Sequence, residues 1–95
     1  MNWEEYKEQV KSSDKEAKKI IEEAEEEAKI VSSLIQQRVA LGLSQRDLAS
    51  LCDIPQSSVA RIESYKTTPR LDTVLKLLNE MGLTLSVTKL RNPKP

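Results

Sequence analysis

The chain has 95 residues, with 15 basic and 15 acidic side chains, no His and a single Cys, Cys52. This length fits one small domain with at most a short appendage. One Cys excludes a disulfide framework, and the lack of His excludes an ordinary zinc site, so no metal or cofactor is expected. No apolar run approaches the roughly 18 residues of a membrane span and no signal peptide is evident, so we expect a cytoplasmic protein.

The zero net charge hides two parts of opposite sign. Residues 1–29 contain ten acidic and six basic side chains, a net charge of −4, whereas residues 30–95 contain nine basic and five acidic ones, a net charge of +4. The acidic part should avoid DNA, and the basic part can approach it. We divide the chain into an acidic helical extension (1–29), a helical domain (30–82) and a C-terminal strand and tail (83–95).

Two helices are predicted before the first glycine. The spacing of the apolar residues predicts a short helix over residues 2–11. A long helix with an alanine-rich apolar stripe is predicted to follow, from about Asp14 to Leu41. Residues 22–29 are mostly Glu, which indicates either a solvated helix face or an acidic surface for a basic partner. The apolar face of the short helix consists of Trp3, Tyr6 and Val10.

Three shorter helices and a strand are predicted after Gly42, which ends the long helix. Alternating apolar and polar residues from Leu83 to Leu90 predict a half-buried strand after Gly82, which ends the last helix. The three helices are predicted to begin at Ser44, Gln56 and Arg70 and to end near Cys52, Ser64 and Met81.

The segment from Leu43 to Glu63, LSQRDLASLCDIPQSSVARIE, contains two of these short helices and a tight turn. Ala49 is small enough for the helices to cross closely, and apolar residues lock the second helix against the first. The outer face of the second helix is then free to enter a major groove about 12 Å wide. The locking residues are Leu48, Ile54, Val59 and Ile62.

Together with Pro69 and the following helix, this segment resembles the Xre/Cro/cI family of helix-turn-helix regulators over residues 35–82. The resemblance implies a mainly α, lambda-repressor-like domain that binds DNA and is not an enzyme. Here the domain has an N-terminal helical extension and a short C-terminal β-strand. The chain also lacks the parts of an enzyme, since there is no nucleophile–base constellation and no glycine-rich phosphate loop.

The polar residues of this domain are the expected DNA contacts. Gln pairs with adenine and Arg with guanine, so Gln56, Ser57 and Arg61 are expected to contact bases. Helix starts and loop side chains are expected to hold phosphates. The resemblance also implies an ion pair between Arg38 and Glu63, with two independent surface charges as the alternative. The full set of expected DNA contacts is Ser44, Gln45, Gln56, Ser57, Ser58, Arg61, Lys66, Thr67 and Thr68.

Three positions depart from the family pattern. Asp53 replaces a turn Gly, but Asp tolerates the left-handed region better than most residues. Pro55 replaces a capping Ser or Thr, which loses a side-chain cap but presets φ for a helix start. Tyr65 replaces a common Gly and leaves the path of the loop after it open.

The parts around the domain resemble HigA-type antitoxins, in residues 69–76 and 81–85 and in the opening Asn2-Trp3. This resemblance implies a sequence-specific repressor of its own operon that neutralises an RNA-cleaving toxin. The implied partners are double-stranded operator DNA, a second copy of the chain and a basic RelE/HigB-like toxin. Two alternatives stay open: a stand-alone or phage-type repressor that dimerises through its N-terminal helices, and an interaction module that no longer binds DNA.

Two surfaces are expected to serve these partners. The extension has too few large apolar residues for a core of its own, and Trp and Tyr are favoured interface anchors. We therefore expect Trp3, Tyr6 and Val10 to bind the toxin, the alternative being that Trp3 and Tyr6 fold back on this chain or a dimer mate. A lone strand has unpaired edges, so a second copy is expected to pair through Leu83, Leu85 and Val87.

Overall fold

The computed structural model describes residues 3–5, 7 and 15–90. Within residues 15–90 the chain forms four helices, and the backbone of residues 3–5 and 7 is also helical. None of the helices in these described residues combines the length and the apolar character needed to cross a membrane. The helices are α1 (Lys15–Ala40), α2 (Gln45–Leu51), α3 (Gln56–Glu63) and α4 (Leu71–Glu80).

The hydrophobic core lies where α2, α3 and α4 meet the C-terminal half of α1. Leu34 of α1 is 1% exposed, and it packs with fully buried residues of the other helices. Burying one such aliphatic side chain is worth about 1.5–3 kcal/mol relative to leaving it exposed. The N-terminal half of α1 contributes little, since Ile21 is its one residue among the buried apolar side chains of the described chain. The fully buried partners are Leu48, Cys52, Val59 and Leu77.

Cys52 is a fully buried core residue. Its Sγ lies 3.8 Å from the carbonyl oxygen of Lys76, to which the thiol donates a weak hydrogen bond. Burial raises the pKa of this thiol, so it stays protonated and packs as a small apolar side chain.

Each helix is followed by one residue in the left-handed region of backbone space. These residues are Gly42 (φ 72°), Asp53 (55°), Tyr65 (61°) and Gly82 (81°). A left-handed residue turns the chain so that the next N–H reaches back to the last helical turn. The N–H of Ile54, for example, donates to the carbonyl oxygen of Ala49 at 3.0 Å. The two predicted helix-ending glycines and two of the three unusual positions therefore share one geometry.

The strand predicted from Leu83 to Leu90 is not observed, and the described part of the chain contains helices but no strand. Alternation specifies which side chains share a face, whereas a strand also needs an edge with which to pair. No such edge exists in the described residues. Leu83 and Leu85 instead pack against the core of their own chain, and Val87 is fully exposed.

Candidate nucleic-acid interface

The helix α3 buries one face and exposes the other. Val59 is fully buried and Ile62 is 5% exposed, and both contact the core. Val59 and Ile62 are three apart and share this inward face, so Arg61, which lies between them in sequence, falls on the exposed side. The three residues expected to contact bases, Gln56, Ser57 and Arg61, are all exposed, and Ser58 is half-buried.

The starts of α2 and α3 differ in their capping. At α2 the Ser44 hydroxyl accepts from the N–H of Asp47, and the Asp47 carboxylate accepts from the N–H of Ser44, both at 2.9 Å. The hydrogen bond that the Ser44 N–H donates to the Asp47 carboxylate is the main cause that lowers the pKa of Asp47, and the Ser44 side chain adds to it. The capping box places a carboxylate at this helix start, and the phosphate contacts expected there stay a prediction. At α3, Pro55 makes no side-chain cap, so the first N–H groups of this helix are the better phosphate donors.

Arg38 and Glu63 form the predicted ion pair, which ties α1 to α3. The Arg38 Nε donates to Glu63 Oε2 at 2.7 Å and Nη2 donates to Oε1 at 2.8 Å. A third nitrogen, Nη1, donates to the carbonyl oxygen of Leu43 at 2.8 Å, before the start of α2. The Glu63 side chain is 6% exposed and that of Arg38 14%. The hydrogen bond to Glu63 raises the pKa of Arg38 above its ordinary value, so the guanidinium stays charged.

A chain of hydrogen bonds continues from this ion pair to the exposed start of α3. Gln45 donates through Nε2 to Glu63 Oε1 at 3.0 Å, and Gln56 donates through Nε2 to Gln45 Oε1 at 2.9 Å. The two glutamines share a shallow open groove with Arg46, which is exposed. Arg46 was not among the residues expected to contact DNA, although a cation in the first turn of α2 beside Gln45 is a usable signal for such a contact.

The loop of residues 65–69 forms the other side of the expected DNA surface. Lys66, Thr67 and Thr68 are all exposed. The left-handed backbone of Tyr65 starts this loop, so the Tyr is accommodated where the family commonly has Gly. The loop also lines a cleft of about 410 Å³, together with Trp3 and the α1 residues around Ala28.

The described residues that precede α1 contact this helix through Lys7. The Lys7 Nζ is 3.1 Å from Glu4 and 3.4 Å from Glu25 of α1, and the Lys7 side chain is 8% exposed. The same Nζ lies 5.6 Å from the centre of the Trp3 ring. Trp3 thus contacts Lys7 and lines the cleft beside α1, and it is 57% exposed. Tyr6 and Val10 lie outside the described residues.

Comparisons with known proteins agree with this geometry. A family model described as "Helix-turn-helix" matches residues 34–87, close to the span over which the sequence resembles helix-turn-helix regulators. An uncharacterized HTH-type transcriptional regulator of Haemophilus influenzae is 38% identical over 90 residues, which cover 95% of this chain and 87% of that protein.

A solved structure with a similar chain is described as a toxin-antitoxin module from Streptococcus pneumoniae. That chain is 38% identical, has a TM-score of 0.70, and the match covers 95% of this chain and 94% of the other. The family model spans more than half of the chain, and the Haemophilus relative is similar over nearly all of it. The chain therefore belongs to the helix-turn-helix family of DNA-binding regulators.

Proposed function

We propose that this chain is the antitoxin of a toxin–antitoxin module, of the HigA type. It binds its own operator as a homodimer, represses that operon, and neutralises a basic, RNA-cleaving toxin. The observation that carries the proposal is the extent of the similarity to the Streptococcus pneumoniae chain, 95% of this chain and 94% of that one. A match limited to residues 34–87 would reflect the shared DNA-binding domain alone. The match instead has to include most of the N-terminal part.

Operator binding is assigned to the surface around α3. Gln56, Ser57 and Arg61 present exposed polar groups where the helix can enter a major groove. Phosphate contacts on either side come from Arg46 and from the loop residues Lys66 to Thr68, all exposed. The buried Arg38–Glu63 pair holds α1 and α3 in a fixed relation, so the surface needs little ordering when DNA binds.

Toxin binding is assigned to the acidic side of α1 and to Trp3. The acidic side of α1 consists of four exposed glutamates, Glu22, Glu23, Glu26 and Glu27. They lie far along the sequence from the residues of the α3 surface. A cluster of negative charges attracts a positively charged partner and repels DNA. Trp3 retains more than half of its exposure, so it has surface left for a partner although it contacts Lys7.

The second candidate is a plain transcriptional repressor without a toxin partner. The Haemophilus relative favours it, because that protein is equally similar over 95% of this chain and is described as a transcriptional regulator alone. The two candidates share the α3 surface and differ in the role of the acidic side of α1.

The test is co-expression of the intact chain with the product of the adjacent gene. We expect a small basic protein to co-purify with the chain, and the complex to protect RNA that the free partner cleaves. Glu23→Gln with Glu26→Gln should weaken this capture, because both carboxylates are exposed and their loss leaves the core intact. Operator binding by the free chain should be unchanged.

The matched control is Asp53→Asn with Glu80→Gln, which removes two exposed carboxylates outside the extension. This control should capture the partner like the wild type. If operator DNA is bound but no partner is captured by the intact chain, the plain repressor is the correct function. Equal loss of capture in both double variants would mean that net charge, and not the acidic side of α1, drives the association.

A further inference from the structure

The cleft of about 410 Å³ beside α1 is lined by two of the few aromatic residues of the chain. The sequence contains one Trp, two Tyr and no Phe. Trp3, which precedes α1, and Tyr65, in the loop after α3, both line this cleft. Trp3 is 57% exposed and Tyr65 54%. Because Trp and Tyr are favoured anchors at protein interfaces, two such rings in one open cleft indicate a binding surface.

Tyr65 occupies its place in the cleft at a cost to folding. Its φ of 61° lies in the left-handed region, where a residue with a Cβ is strained and Gly is not. Since more than half of the residue is exposed, packing within the chain does little to offset this strain. Strained backbone of this kind is concentrated at ligand clamps and other functional sites. The ring of Tyr65 is therefore better explained by binding than by stability.

The charges that line the cleft favour a cation. Glu25 and Glu27 of α1 line it, against one basic residue, Lys66. Glu27 is exposed, and the side chain of Glu25 is 32% exposed. The α1 residues Ala24 and Ala28, which also line the cleft, are small. A long cationic side chain can therefore reach the carboxylates without a clash against this part of α1.

The ring of Trp3 already attracts a cation of its own chain. The Nζ of Lys7 lies 5.6 Å from the ring centre, within the range of a cation–π contact. A cation that enters the cleft meets this ring together with that of Tyr65 and a carboxylate. A guanidinium fits this set better than an ammonium, because its planar group stacks on aromatic rings and donates two parallel hydrogen bonds to a carboxylate.

We propose that the cleft binds an arginine side chain of the partner protein, whose guanidinium stacks on Trp3 and Tyr65 and pairs with Glu27. The inference rests on the proposed toxin binding, and it names the kind of side chain by which the partner is anchored. It also gives a role to Tyr65, which stands where related regulators commonly have Gly.

The first experiment uses the full chain and two synthetic peptides of equal charge. One alternates glycine with arginine and the other alternates glycine with the same number of lysines, so both are attracted equally to the acidic side of α1. Fluorescence of Trp3, the one Trp of the chain, reports binding in the cleft. We expect the arginine peptide to bind about fivefold more tightly than the lysine peptide. Tyr65→Leu should abolish this difference, whereas Tyr65→Phe, which keeps a ring, should preserve it.

The second experiment uses the product of the adjacent gene, with its arginines replaced one at a time by lysine. One of these replacements should weaken binding to the wild-type chain by about fivefold and should cause no further loss with Tyr65→Leu, as expected for two side chains in contact. Tyr65→Leu keeps the Cβ and its backbone strain. This variant should therefore unfold cooperatively, and it should bind operator within about twofold of the wild type.

Four results would overturn the inference. Two concern the peptides: equal affinity of both for the wild-type chain, or a preference for arginine that survives Tyr65→Leu. The third is a captured partner with no arginine coupled to Tyr65, which leaves the antitoxin function in place. The fourth is an equal loss of operator and partner binding in Tyr65→Leu, which would mean that Tyr65 acts through the shape of its loop. If the wild-type chain captures no partner, the proposed function fails and the inference fails with it.

Discussion

Arg61 and Lys66 are exposed cations on either side of the end of α3, and we expect them to act differently on DNA. Arg61 lies on the helix and is placed to reach a base edge, so Arg61→Ala should cost about 1–3 kcal/mol on the cognate operator and relax specificity. Lys66 lies in the loop, so Lys66→Ala should weaken all duplexes alike and lower the salt slope by about one. Fluorescence anisotropy on cognate and random duplexes at several salt concentrations measures both effects.

Lys76→Ala is the control for this pair, since Lys76 is an exposed cation of α4 outside the α3 surface. It should change neither specificity nor the salt slope noticeably. Equal losses on cognate and random duplexes for Arg61→Ala would contradict its assignment as a base contact and move it to the phosphates.

The residues around Glu63 also mark the limit of what the sequence could predict. The Arg38–Glu63 pair was predictable, because the family resemblance implies it at these two positions. The link from Glu63 through Gln45 to Gln56 was not. Gln45 and Gln56 start two different helices, and whether their side chains meet depends on the crossing of α2 and α3 and on rotamers. No period in the sequence encodes either.

At the scale of elements, the four helix ends share one backbone geometry but not one residue type. Gly42 and Gly82 adopt positive φ without cost, whereas an L-residue with a Cβ pays about 1–2 kcal/mol in the left-handed region. The backbone strain is smaller at Asp53 than at Tyr65, since Asp is among the residues that adopt this region more readily. Tyr65 is 54% exposed, so little packing compensates for its strain.

We therefore expect Tyr65→Gly to stabilise the chain, by about 0.5–1 kcal/mol after the extra backbone entropy of Gly is subtracted. Asp53→Gly should have a smaller effect. Thermal or urea unfolding measures both. The control is Gly82→Ala, which should destabilise the chain through backbone strain alone, since a Cβ at Gly82 meets no atom within 4 Å. If Tyr65→Gly destabilises the chain, the Tyr side chain contributes packing in the cleft beside Trp3 that outweighs its strain.

Helix bounds were predictable from such ends, but the C-terminal strand was not. The long helix was expected to end near Leu41 and is observed to end at Ala40, because a glycine that ends a helix acts locally; the expected start at about Asp14 lies outside the described residues. Strand formation depends on a partner edge elsewhere, which an alternating pattern does not specify. The pattern did identify correctly that Leu83 and Leu85 face apolar surroundings.

At the scale of the whole molecule, the acidic and the basic parts of the chain form two different surfaces. The exposed carboxylates of α1 lie in the N-terminal half of that helix, whereas the cations expected to meet DNA belong to α2, α3 and the loop after α3. The ion pair of Lys7 with Glu25 fastens the described residues that precede α1 to that helix. A toxin on the acidic side and a duplex on the α3 side would therefore meet at one shared feature, the cleft formed by Trp3, α1 and residues 65–69.

A single copy of this domain reads half of a two-fold site, and useful affinity needs two copies about 34–36 Å apart along the duplex. We expect the segment after α4 to hold them together. Val87 is fully exposed and Leu90 is 75% exposed, although both are large apolar side chains. In a dimer paired through this segment, Val87 would approach its copy across the two-fold axis. Val87→Glu should then place like charges close together and separate the dimer.

Sedimentation velocity tests this expectation, with Ser86→Glu as the control. Ser86 is exposed and directly precedes Val87. In the alternating pattern its side chain lies on the opposite face, so the charge introduced by Ser86→Glu should be tolerated. Val87→Glu should sediment as a monomer and bind the full operator about 100-fold more weakly, because the second half-site no longer benefits from a tethered copy. Its affinity for an isolated half-site should not change, which separates lost dimerisation from a damaged α3 surface. A Val87→Glu chain that stays dimeric would place the interface on α4 or on the N-terminal helices.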